Sequence, residues 1–252
     1  MVYHPQENGT IRASYGQSFT APSLYFRTAS YYWEGGGSIS MASPNPDLKP
    51  ETNTSWELGT EWEFWQKWLR LKLTYFDNDF EDMIVSISKN STRADGAQII
   101  DKTRINAEEA EVNGIEAAAE ATFTSDLKGG LFYTHNWSEY TVTQDSSRLG
   151  WEVDEVPTDI WSAWLSYYFT DNLDLNLSYR YCDSRYDDEY TAYGEDSYKG
   201  DDAYQIMDAK LTYRPYDHLA VSVAVDNLLD EEYYEYYKGP GRFVLATLSF
   251  SY

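Results

Sequence analysis

The densest run of potential metal ligands in the 252-residue chain lies between Arg185 and Tyr204 and reads R-Y-D-D-E-Y-T-A-Y-G-E-D-S-Y-K-G-D-D-A-Y. Its carboxylates Asp187, Asp188, Glu189, Glu195, Asp196, Asp201 and Asp202 are hard oxygen donors of the kind calcium takes, and Asp187, Asp188 and Glu189 are the candidate ligands. Their spacing matches no EF-hand loop, so a solvated acidic loop is the competing reading. A second constellation, Tyr31, Tyr32 and Trp33, offers adjacent π faces that could stack on a planar ligand such as a catecholate or porphyrin. Its competing reading is a loop core packed on itself. Tyr190, beside Asp187 and Asp188, joins them as a candidate ligand contact.

Catalysis finds no comparable support. His4, His135 and His218 are the only histidines and fall in separate segments; His135 alone sits in a strand, with a parity shared by Leu131 and Tyr133 on the apolar face. The single cysteine, Cys182, permits no internal disulfide, and no cluster suggests structural zinc. The expectation is a protein that is not an enzyme and carries no cofactor. With 42 acidic against 19 basic residues, the net charge of -23 disfavours nucleic acid, whose phosphates it would repel.

The elements that must carry these loops are strands. No apolar run exceeds four residues, against the roughly 18 of a spanning helix, so a membrane reading requires a β-barrel. Leu173, Leu175, Leu177, Tyr179 and Tyr181 alternate with Asp174, Asn176, Ser178 and Arg180; Trp56, Leu58, Trp62 and Phe64 alternate with Glu57, Gly59, Glu61 and Glu63. About ten strands are expected, near 10–19, 51–65, 67–88, 98–124, 127–143, 157–170, 172–186, 202–215, 218–229 and 240–252, the last closing the chain at Tyr252. Connections alternate between long ones, near 20–50, 89–97, 144–156, 187–201 and 230–239, and short ones at Gln66, Ser125–Asp126, Asp171 and Tyr216–Asp217. Long loops on one side and short turns on the other describe an antiparallel up-and-down transmembrane barrel better than a Greek-key sandwich. On the polar faces Glu57, Glu61, Glu63, Glu116, Glu120, Asp174 and Asp208 nearly balance Arg12, Arg70, Lys72, Arg180, Lys210 and Arg214, which leaves the excess acid to loops and strand ends.

Three motifs narrow the reading. Pro44, Pro46 and Pro50 stiffen P-N-P-D-L-K-P-E-T, which precedes the strand opening W-E-L-G and stays outside the sheet until Glu51. Asn113, Gly114, Ile115 and Glu116 form an x-G-x-E strand; Asn227, Leu228, Asp230 and Tyr233, followed by Gly239, Pro240, Gly241 and Arg242, form N-L-x-D-x-x-Y and P-G-R signatures. Together they resemble TonB-dependent outer-membrane receptors over nearly the whole chain. The resemblance implies the last ten strands of a barrel of about 22, with a plug domain and signal peptide lying elsewhere. It further implies a Gram-negative outer-membrane location among lipid, and capture of a scarce nutrient such as a ferric siderophore, haem or cobalamin. Energy would come from TonB through the missing plug. The amino terminus has no charged segment followed by an apolar one and does not read as a signal peptide. Ten strands cut from a wider barrel predict an open sheet with free edges at 10–19 and 240–252. The alternatives are a self-sufficient small barrel of structural or adhesive role and a soluble β-sandwich binding module.

Overall fold

The computed structural model describes residues 1–144, 146–185, 202–235 and 237–251. It is organised by one antiparallel meander. Strands β1 (Val2–Gln6) and β2 (Gly9–Thr20) are followed by a short helix α1 (Leu24–Thr28) and a hairpin of β3 (Tyr31–Gly35) and β4 (Ser38–Ser43). The wall continues through β5 (Glu51–Phe64), β6 (Leu69–Thr92), β7 (Gln98–Thr122), β8 (Leu127–Val142), β9 (Asp159–Thr170), β10 (Leu173–Cys182), β11 (Tyr204–Tyr216) and β12 (Leu219–Asp226). A two-residue pair, β13 (Tyr234–Glu235) with β14 (Tyr237–Lys238), precedes the closing strand β15 (Phe243–Phe250). Tyr252 lies outside the described residues.

Each wall strand pairs with its neighbours in chain order from β1 to β15, except that β2 pairs β5 and β12 pairs β15 across their loop insertions. Period-two alternation makes the register self-consistent. Leu175 lies opposite Leu211, Leu211 opposite Val223 and Val223 opposite Ala246, so one row of apolar side chains crosses four strands. The adjacent row, Asn176, Lys210 and Ala224, faces the other way. Among the described residues nothing covers the apolar face: Leu58, Leu73, Val223 and Leu248 are 52%, 51%, 44% and 72% exposed. An exposed greasy surface of that extent suits lipid, and among the described residues no second sheet packs on it as a sandwich would require. On the opposite face the charges pair across strands, Arg70 with Glu61 at 3.4 Å and Glu63 at 3.1 Å, Lys72 with Glu61 at 3.8 Å, and Arg214 with Asp174.

Among the described residues no ladder joins β15 to β1 or β2, so the sheet is open as expected, with β15 paired to β12 on one side only. A self-sufficient closed small barrel is not what this chain forms. The expected edge at 10–19 needs correction, because β1 pairs antiparallel with β2 and takes the edge itself. Pro5 concealed it: a proline within five residues reads as a loop, yet an edge strand tolerates the missing donor. The hairpin β3–β4 inside the first long loop was also not anticipated, and β6 runs on to Thr92, past the expected end near residue 88.

Candidate ligand-capture site

The long-loop end of the wall is dominated by the segment between β2 and β5. It starts with Ser23, whose Oγ accepts from the Tyr25 backbone N–H at 3.2 Å and caps α1. Arg27 donates to the Pro46 carbonyl at 2.8 Å and the Asn45 N–H donates to Phe26 O at 2.9 Å, so the outgoing and returning limbs clasp each other. The returning limb is fastened to β7. Asn45 Nδ2 donates to Arg104 O at 2.8 Å, and Asn106 Oδ1 accepts from the Lys49 N–H at 2.9 Å while its Nδ2 donates to Asp82 O at 2.6 Å. Asp82 has φ 57° and sits where the β6–β7 register shifts, so the bulge that bends the wall also supplies the carbonyl on which the limb is anchored. Leu48 and Ile39, 5% and 3% exposed, are the apolar plugs beneath this region.

β8 pairs with β7 only as far as Glu109, which leaves the upper edge of the longer β7 without a partner. β4 takes that edge in parallel, from Ser38 opposite Gln98 to Ser43 opposite Thr103. β3 then pairs with β4 and carries Tyr31, Tyr32 and Trp33 in extended conformation. Extended backbone separates these rings by face. The Tyr32 hydroxyl donates to Glu34 Oε2 at 2.5 Å, placing Tyr32 and Glu34 together, whereas the Trp33 ring lies along Gly35, where an added Cβ would stand 2.7 Å from it. The three aromatics are therefore not one stack. The loop-core reading also fails, since Tyr31, Tyr32 and Trp33 are 49%, 60% and 50% exposed. Tyr31 and Trp33 share one face of β3 and Tyr32 takes the other.

Three charged groups frame the hairpin tip: Glu34, Arg93 and Asp95, with Arg93 2.7 Å from each carboxylate. Hydrogen bonds from Arg93 hold the Asp95 carboxyl down to about 2, and the Tyr32 hydroxyl followed by Arg93 lowers that of Glu34. The guanidinium is itself held charged, first by Asp95 and then by Glu34. No sequence signal pointed to this trio, because Glu34 and Arg93 are brought together only by the parallel seat of β4 on β7.

Asp187, Asp188, Glu189 and Tyr190 lie outside the described residues, so the calcium reading stays where the sequence left it. Among the described residues no group of three His, Cys, Asp or Glu side chains is arranged to hold a metal. His135 stands beside Tyr133 and bonds Asp159 at 2.8 Å at the start of β9, where it lines a pocket with Gly150 and Glu152 of the β8–β9 loop. In the last long loop Tyr233 folds down on the wall, whereas Tyr237 stays 76% exposed. Tyr233 packs against Tyr204 with ring centroids 5.0 Å apart, Cys182 is buried with them, and Tyr204 donates to Glu235. The motif residues of that loop are its joints: Asn227 donates to Glu231 O at 2.8 Å and accepts from the Glu231 N–H at 2.9 Å, and Asp230 accepts from the Arg242 N–H at 3.0 Å.

Comparison with known proteins agrees with the wall and the loops. Residues 1–228 match the family model described as TonB dependent receptor-like, beta-barrel. The iron-regulated outer membrane virulence protein of Vibrio cholerae is 32% identical over 90% of this chain and 34% of its own length. The vitamin B12 transporter BtuB of Vibrio vulnificus is 27% identical over 98% of this chain and 36% of its own. Among solved structures, the ferric enterobactin receptor PfeA of Pseudomonas aeruginosa, in complex with enterobactin, superposes with a TM-score of 0.77 over 100% of this chain and 40% of that one, at 22% identity. The chain thus spans about a third of the length of the curated relatives it matches. Receptors and transporters of this kind are not enzymes, and the apolar outer face described above is that of an outer-membrane barrel. With nine-tenths of its residues inside the family model, the chain belongs to the TonB-dependent receptor β-barrel family.

Proposed function

We propose that this chain is the carboxy-terminal portion of the barrel of an outer-membrane receptor that takes up a ferric siderophore with energy delivered by TonB through a plug domain encoded elsewhere in the parent. The observation that carries the ligand class is the pair of half-exposed rings, Tyr31 and Trp33, fixed on an ordered hairpin at the long-loop end of the wall. Rigid aromatic faces suit a flat, aromatic iron-chelating group, because stacking on a preformed surface costs little ordering on binding. The names of relatives, among them a catecholate siderophore receptor of Escherichia coli, favour iron; a vitamin B12 transporter among them makes cobalamin the competing cargo.

Uptake of radioiron from a ferric catecholate by cells producing the full-length parent tests the reading, with labelled cyanocobalamin alongside. Iron uptake that requires TonB and falls in Trp33→Ala at unchanged surface level is the expected result. Uptake of cyanocobalamin alone would replace the cargo, and a parent recovered folded and monodisperse without detergent would overturn the membrane assignment. The same assay with a combined Asp187→Asn, Asp188→Asn change tests the acidic loop: reduced uptake is expected if it contributes ligand contacts, and unchanged uptake leaves it a solvated loop.

A further inference from the structure

The strand bearing the open rings is weakly held by its own backbone. β3 pairs with β4 alone, and the two are joined by Gly36 and Gly37 at φ 58° and 80°, a turn with few steric constraints of its own. Beyond the ladder through β4, β3 is tied to the wall by a side chain from another hairpin. Arg93, just past the end of β6, donates through Nε to both oxygens of Asp95 at 3.0 and 3.1 Å and through Nη2 to Asp95 Oδ2 at 2.7 Å. The same Nη2 donates to Glu34 Oε1 at 2.7 Å, and the other Glu34 oxygen accepts from Tyr32. Asp95 is in turn fixed by the Ala97 N–H at 3.2 Å. The relay Asp95, Arg93, Glu34, Tyr32 therefore runs along one face of β3, while Trp33 lies over Gly35 on the other.

We propose that Arg93 is a positioning residue of the capture surface, holding β3 against the β6–β7 tip so that Tyr31 and Trp33 meet a flat aromatic chelate already oriented. This rests on the reading of those two rings as the ligand-stacking pair. With both of its carboxylate partners engaged, the guanidinium has its charge answered within the protein, which argues for an internal clamp and against direct capture of an anion. Exposed ion pairs contribute little to global stability, and Arg93 and Glu34 are 41% and 44% exposed, so the clamp selects a geometry of one hairpin without deciding whether the barrel folds. Preorganisation of this kind appears in affinity, because an unclamped strand must be ordered at the moment of binding.

The test is a set of binding measurements on the full-length parent receptor in detergent, with ferric tris-catecholate as probe and tryptophan quenching as readout. Arg93→Ala is expected to weaken binding roughly tenfold, Arg93→Lys to recover part of the loss, and the Arg93→Ala, Glu34→Ala double variant to bind no worse than Arg93→Ala alone. In a Tyr31→Ala, Trp33→Ala background, Arg93→Ala should add nothing, since its effect passes through the two rings. Heat-modifiable gel mobility confirms that each variant is a folded barrel. Wild-type affinity in Arg93→Ala, or a loss that adds fully to that of the Tyr31→Ala, Trp33→Ala pair, would overturn the positioning role and leave the ligand reading standing. A wild-type receptor that binds neither ferric tris-catecholate nor cyanocobalamin would remove both.

Discussion

The wall from β9 to β15 and the docked hairpin β3–β4 are both sheet, yet they are held by different forces. In the wall every strand is paired on both sides until the edge, and rows such as Leu175, Leu211, Val223 and Ala246 repeat the same apolar chemistry. Any lipid-compatible side chain would serve there. The hairpin has one parallel ladder and a handful of individual side chains, Asn45, Asn106, Arg93 and Glu34, each with a named partner on a distant segment. The first arrangement is tolerant within its chemical class and intolerant of charge; the second is sensitive to single polar groups and indifferent to lipid. Under the function proposed, ligand contacts on the hairpin could therefore change without cost to the wall.

The comparison breaks most visibly by putting charge on the lipid face. Leu175→Arg or Val223→Arg should destabilise the parent barrel by about 2–4 kcal/mol in bilayers, read as a shift in the urea midpoint of refolding. Asn176→Ala, one residue from Leu175 on the polar face, should cost far less, although it gives up bonds with Ser166 and Asp174 at 2.6 and 2.8 Å. Equal penalties on the two faces would contradict the assignment of inside and outside.

Asn106→Ala comes next. It strands the part-buried Asp82 carbonyl, which left unsatisfied costs about 1–3 kcal/mol, and leaves the exposed Lys49 N–H to water. The loss should be local: limited proteolysis would cut near residues 44–50 while the wall keeps its heat-modifiable mobility. Resistance equal to wild type would mean that the limb is held by the buried Leu48 instead.

Separating the rings by face predicts a smaller and finer effect. Trp33→Ala should weaken ligand binding more than Tyr32→Phe, which removes only the hydroxyl that donates to Glu34 and leaves Trp33 over Gly35. Equal losses in titrations of the full receptor would restore the three rings to one stack.

The smallest effect is that of acid. Folded-state carboxyls depressed by Arg93 and Tyr32 stabilise the clamp above their unfolded values, 4.5 for Glu34 and 3.8 for Asp95. That contribution is lost progressively as pH falls toward about 2, where Asp95 titrates. Trp33 emission should thus be constant from neutral pH down to about 5 and change only below it. A transition between pH 6 and 7 would point to a group other than this clamp.

Much of the wall was legible in the sequence because its physics is local and periodic. Leu173 to Tyr181 alternate with polar neighbours, and that alternation assigns a strand and its two faces; Gln66, Asp171 and Asp217 mark the short turns whose contrast with the long loops favours lipid for the apolar face, and the P-N-P-D-L-K-P-E run marks where the loop must rejoin the sheet. That run, with Asn113 to Glu116 and Asn227 to Arg242, carried the family resemblance. The hairpin and its clamp were not legible, for a reason equally physical. Tyr31 to Gly35 becomes a strand only because β7 outruns β8 and leaves an edge for β4, a difference in strand length that no window around residue 31 contains. Arg93 and Glu34 are 59 positions apart, and nothing in either neighbourhood distinguishes them from other loop charges. Local periodicity determined the strands and their faces; which loop charges meet, and that three adjacent loop rings stand on opposite faces of a docked strand, was decided by the register in which distant strands dock.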